Sequence, residues 1–253
     1  MRMMKKVLGT VTVLALSVSL LAGCGSTAVS PVSSTASTAA ESTTSSVVSE
    51  TTSAAAAAQL LNDLTGSYQE LWPVILADEY QQTWLDDCTA LVGEENAEAA
   101  FEKLSSMVTG DVYGEDAVEA YANGGGAYFC GFTNDLATLT FDGETSTISG
   151  TDKDGNVLFS HTYHYIGMEP VHGLYEFESD DADSGEFTYF FLAPDTSAET
   201  YHIEFRYGSD AEALSQYDAG EYAYWVASGI STDCDQTMID NCIELFCTEN
   251  LAG

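Results

Sequence analysis

The sequence predicts a single, mainly β domain of the α+β class, with helices before and after a set of short antiparallel strands. Apolar residues recur at helical intervals through residues 59–121, "NGGGAYFCGFTN" then breaks the pattern, and the period changes to two. The later segments are short, rich in Thr, Tyr, Phe and Ile, and separated by turn signals, a pattern that fits a barrel or a sandwich.

The chain opens with Arg2, Lys5 and Lys6 ahead of an apolar run from Val7 to Ala22 and then "LAGC". A charged head, a short apolar core and a small-residue cleavage site make residues 1–24 a signal peptide, too short for a span of about 20 apolar residues. "LAGC" resembles the bacterial lipobox, which makes Cys24 the lipidated N-terminus and places the mature protein on the extracytoplasmic face of a membrane. Residues 25–58 are almost all Ser, Thr, Ala and Val without an aromatic side chain. They bury too little to offset an ordering cost of about 1–2 kcal/mol per residue, so a flexible tether is expected. The poly-alanine end is able to lengthen the first helix by a turn.

Residues 59–253 form the expected domain. "AQLLNDLTGSYQELWPVILAD" reads as helix, a break at "LTGS", and a second helix with Pro73 near its start. "DEYQQTWLDDCTALV", "NAEAAFEKLSSMV" and "GEDAVEAYA" continue the helical series. "ATLTFD", "TSTISG", "VLFSHTYHYI", "GLYEFES", "EFTYFFLA" and "TYHIEFRYG" are the strand candidates, which puts the barrel at about 127–208. The stretch from "AEALSQYDAGEYAYWV" to "TMIDNCIELFC" reads as a return to helix.

Charge narrows the partners. The signal peptide carries three of the six basic residues, so the mature chain sets Lys103, Lys153 and Arg206 against 40 carboxylates, a formal charge of 3 − 40 = −37. Nucleic acid is excluded as a partner and cations are attracted, although an acidic surface also serves solubility alone. Beyond Cys24, the odd set Cys88, Cys130, Cys234, Cys242 and Cys247 matches no zinc-ribbon spacing. These read as small buried hydrophobes, with one disulfide open among the C-terminal three or to Cys88. No Gly-x-Ser-x-Gly elbow, His-Glu-x-x-His helix or phosphate loop occurs, so an enzyme is the least favoured class.

Several segments, in order, resemble the ZinT/YodA-like zinc-binding proteins. "LTGSYQELWPVIL" is similar to that family's opening motif, through Gly66, Tyr68, Gln69, Trp72 and Pro73. "DKDGNVLFS", "YEFES" and "HIEFRYGSDAEAL" are similar to its Asp-x-Asp-Gly hairpin, its Tyr-x-Phe-Glu strand and its His-bearing strand. The resemblance implies a calycin/lipocalin-like antiparallel barrel with helices packed on it. It also implies zinc held in the barrel mouth and handed to a metal-importer component. The family's three histidines are only partly matched. Phe190 falls at the first ligand position, His202 at the second and Glu204 at the third, and Ser179 stands where the family has a cysteine.

His202 and Glu204 share one face of a strand, which allows them to converge on one cation, and both imidazole and carboxylate serve zinc. The competing reading pairs Glu204 with the neighbourhood of Arg206 on a solvated face. A third metal ligand would come from His161, which shares a face with Phe159 and Tyr163 and is equally readable as a core histidine. His161 and His164 are three apart, so only one points inward. His172 reads as a surface turn residue. "DKDGN" is a hairpin turn rather than a calcium loop, because Tyr163 occupies the twelfth position where a carboxylate is needed. The divergence keeps a second function open, a barrel that has lost its metal and binds a small apolar ligand or a surface partner.

Overall fold

A computed structural model describes residues 42–193 and 202–252. The signal peptide, Cys24 and the start of the tether lie outside them, as do Pro194 and residues 195–201. The first helix, α1 (Ser42–Asp63), takes in much of the segment expected to be a flexible tether. Its alanine run, with the highest helix propensity of any residue, leads directly into Leu60, Leu61 and Leu64, which are buried in the barrel's core.

The barrel is closed, with eight antiparallel strands in sequence order and the last paired to the first. They are β1 (Gly66–Glu70), β2 (Thr138–Asp142), β3 (Thr147–Thr151), β4 (Val157–Met168), β5 (Tyr175–Ser179), β6 (Tyr189–Leu192), β7 (His202–Gly208) and β8 (Ala227–Ser231). Closure leaves no unpaired edge. The barrel therefore extends beyond the 127–208 range read from the sequence, through β1 and β8. Between β1 and β2 stand α2 (Leu71–Ile75), α3 (Gln81–Val92), α4 (Glu94–Val108) and α5 (Glu115–Ala122). α6 (Ala211–Leu214) follows β7, and α7 (Gln236–Leu251) follows β8.

Period-two patterning accounts for the strands. In β4, Phe159 and Tyr163 are buried while Ser160, Thr162 and His164 are exposed. "KDGN" is a hairpin turn: Asp152 Oδ1 accepts from the backbone N–H of Asp154 and Asn156, at 2.9 and 2.8 Å, and Gly155 supplies the positive φ of 82°. The Asn156 side-chain amide, donating to Asp152 Oδ2 at 2.8 Å, and these backbone bonds hold the Asp152 carboxyl below its ordinary value.

Two apolar cores result. Inside the barrel, aromatic rings pack against one another, with Phe190 5.4 Å from both Tyr163 and Tyr207 and 6.3 Å from Phe205 between ring centroids. Outside it, α2, α3, α4 and α7 bury Leu71, Trp84, Leu104 and Ile243 together with Ile230, which β8 points away from the lumen. Trp84 Nε1 donates to the carbonyl of Ile75 at 2.7 Å, tying α3 to α2. α7 is capped by Asp235, whose carboxylate accepts from the Met238 N–H at 3.0 Å. These helices cover the outer wall of β7 and β8, and that cover creates the cleft described next.

Candidate functional site

β7 is the strand on which the site is built. Ile203, Phe205 and Tyr207 point into the lumen and are buried, so His202, Glu204 and Arg206 point outward. His202 lies opposite Ile230 and Glu204 opposite Ser228 on β8. The outward side is not open to solvent here, because α2 and α7 lie over it. Between wall and helices is a small cleft, partly open to solvent, lined by His202, Glu204, Trp72, Cys242, Phe246 and Glu249 among others.

This arrangement brings His202 and Glu204 together as their spacing requires, but on the outer wall beneath α7 rather than in the barrel mouth. It also adds two donors that the sequence reading did not nominate, Cys242 and Glu249, which α7 presents seven residues apart, two helical turns, along one face. Burial, followed by the charge of Cys234, pushes the Cys242 thiol up to about 12. Cys130 lies close by, and burial followed by the Glu204 charge raises its thiol strongly.

His161 is placed elsewhere. It points inward from β4 beside Phe159, at 5.9 Å between ring centroids, and its Nδ1 is 2.7 Å from Asp181 Oδ2. It does not line the cleft, because the barrel wall separates an inward residue of β4 from outward residues of β7. His164 points the other way and meets Asp180 at 2.8 Å, so the opposite-face reading of "HTYH" describes the strand. The acidic loop "ESDDADSGE" (residues 178–186) thereby supplies two histidine partners, and within it Ser179 accepts a hydrogen bond from Ser184 at 2.8 Å. Phe190 is fully buried in the lumen, on the side of the wall opposite His202 and Glu204. Among the described residues, no three His, Cys, Asp or Glu side chains stand close enough together to hold a metal ion.

Two further expectations are corrected. Arg206 is not on a solvated face: it is fully buried, its guanidinium donating to the carbonyls of Leu214, Gln216 and Tyr222 and lying 4.1 Å from the centre of the Tyr217 ring. Residues 214–222 fold over it, and burial lowers its hold on the proton. His172 is packed rather than free at the surface, with its ring 3.7 Å from that of Tyr217 and Nδ1 3.4 Å from the buried Glu169.

Two zinc-bound structures, of one protein and of a domain of it, resemble this chain. The Zn(II)-bound ZinT-like domain of Streptococcus pneumoniae AdcA aligns at 16% identity and a TM-score of 0.45, over 71% of this chain and 87% of that domain. Zn(II)-bound AdcA from the same organism aligns at 14% identity and a TM-score of 0.43, over 72% of this chain; the chain spans 34% of that protein's length. No family model and no curated protein matches the sequence.

Proposed function

We propose that the protein is a lipid-anchored, extracytoplasmic carrier of a divalent cation, zinc first, which it takes up in the cleft beneath α7 and passes to a metal-importer component. The observation that carries this reading is the placing of His202 and Glu204 side by side on the outer wall of β7, facing a cleft to which α7 adds Cys242 and Glu249. Imidazole, carboxylate and thiolate are zinc donors, and four such groups from two elements are enough for a tetrahedral set. The donors are not gathered into a closed cage, so capture requires their side chains to turn toward the ion, with water completing the shell. That arrangement suits cargo held and released better than a permanent structural zinc. The motif order shared with ZinT/YodA-like proteins supports the same reading, and Cys24 in "LAGC" supports the anchor.

The competing reading, a barrel that has lost its metal, is constrained by the lumen. Its rings pack against one another and disfavour a small apolar ligand there. A surface partner would meet the exposed Leu158, Ile166 and Met168 on the outer face of β4.

Calorimetric titration of zinc at two pH values distinguishes the two. Carrier function predicts binding that weakens in His202→Ala and Glu204→Ala, is unchanged in His161→Ala, and declines as pH falls through about 6.5, where imidazole protonates. Equal affinity in wild type and His202→Ala would remove the site.

A further inference from the structure

We propose that Cys88 and Cys247 are an oxidation site, joined by a disulfide that staples α7 to α3 when the protein folds in the presence of a disulfide oxidant. Their Sγ atoms are 3.9 Å apart across the α3–α7 interface, and both side chains are fully buried in the helical core between Trp84, Leu104 and Ile243. A disulfide bond is about 2.05 Å long. Closing the remaining gap takes side-chain rotation together with a small approach of the two helices.

The chemistry is two thiol–disulfide exchanges. One cysteine thiolate attacks a sulfur of a small disulfide such as oxidised glutathione, which leaves as one thiolate and keeps its other half on the protein. The second cysteine thiolate then attacks the protein sulfur of that mixed disulfide and releases the other half as thiolate. One S–S bond is broken and one formed, two electrons pass to the small disulfide, and the two thiol protons end on its two products. Both side chains are fully buried once α7 is docked, which shields them from a small disulfide. Closure therefore accompanies folding rather than following it.

The consequence is local as well as global. α7 carries Cys242, Phe246 and Glu249 into the cleft, so the staple fixes one wall of it. The bond itself does not depend on the cleft taking zinc. It also closes a loop joining the start of the helical layer to the end of the chain, the long-loop case in which a cross-link restricts the unfolded ensemble most.

The test is peptide mapping of wild-type protein refolded with oxidised and reduced glutathione, alkylated without reductant and digested. The expected product is a Cys88–Cys247 cross-linked peptide that reductant splits, with a thermal midpoint roughly 5–15 °C above that of the reduced protein. Cys88→Ser and Cys247→Ser should each abolish the reductant-sensitive part of that midpoint, and Cys130→Ser should leave it. Recovery of alkylated Cys88 and Cys247 from the oxidised protein, or of either joined to another cysteine, would overturn the assignment. Mapping the wild type keeps this outcome readable even if a serine variant fails to fold.

Discussion

Replacing Arg206 tests how the outer wall of the barrel is held. The guanidinium is fully buried and satisfies three backbone carbonyls, those of Leu214, Gln216 and Tyr222, while lying over Tyr217. In Arg206→Met the carbonyls lose a charged donor, and the two buried ones, of Leu214 and Tyr222, are left unpaired. A hydrogen bond to a charged group contributes about 1.5–3 kcal/mol, and the three are not additive. Each buried carbonyl left unpaired costs about 1–3 kcal/mol, so with the lost packing of the side chain a loss of about 3–5 kcal/mol is expected here. For a domain of this size that is a midpoint lowered by roughly 6–20 °C. Arg206→Lys keeps the charge but loses the planar fork that reaches several carbonyls, so it should fall between wild type and Arg206→Met. Urea unfolding followed by circular dichroism, with the slope unchanged, measures the difference. A cost below about 1 kcal/mol for Arg206→Met, the surface-substitution range, would refute the clamp.

The remaining predictions concern charge, lumen and anchor. Burial, then the charges of Glu244 and Asp240, raises the Asp87 carboxyl, and burial, then Glu169, raises that of Glu176. A carboxyl raised in the folded state is destabilising when ionised, so stability should grow as pH falls from neutral through the folded values and stop growing near the unfolded value of about 4. Asp152 acts in the opposite sense, its stabilisation being lost as pH falls from the unfolded value of about 4 toward its own lowered value, which lies below the range compared; the thermal midpoint should therefore be higher at pH 5 than at pH 7.5, and a lower midpoint at pH 5 would contradict the assignment. Phe190→Ala should cost about 3–5 kcal/mol by opening a cavity among the rings of Tyr163, Phe205 and Tyr207, measured by the same urea series. Cys24→Ser, or inhibition of the lipoprotein signal peptidase with globomycin, should release or stall the protein; an unaltered mature form still fractionating with membranes would contradict the anchor.

Six of the eight strands were legible: in five, one face is wetter than the other, which leaves a period of two in the sequence, while β6 is a short aromatic run whose Phe190, Phe191 and Leu192 are all buried. β8 was not legible, since all five residues of "ASGIS" are buried, the lumen on one side and the helices on the other, and no alternation survives. β1 is five residues pressed between two helices, with Tyr68 its single buried side chain, and it reads as a break in the helical pattern. The site divides in the same way. Spacing alone placed His202 and Glu204 on a common face. Which side of the wall that face occupies depends on α7, more than 30 residues later, folding back over β7, and no local pattern records such a contact. The same remoteness hid Cys242 and Glu249; the buried arginine read as solvated because nothing in residues 214–222 marks them as folding back over β7.

Zinc capture by β7 is tested most directly by crystals grown with zinc and measured at the zinc absorption edge. The account predicts an anomalous peak in the cleft beneath α7, about 2.0–2.2 Å from a ring nitrogen of His202 and a carboxylate oxygen of Glu204, with a further donor from Cys242 or Glu249. A peak confined to the acidic loop around Asp180 and Asp181, or no peak at zinc concentrations that saturate calorimetry, would contradict it.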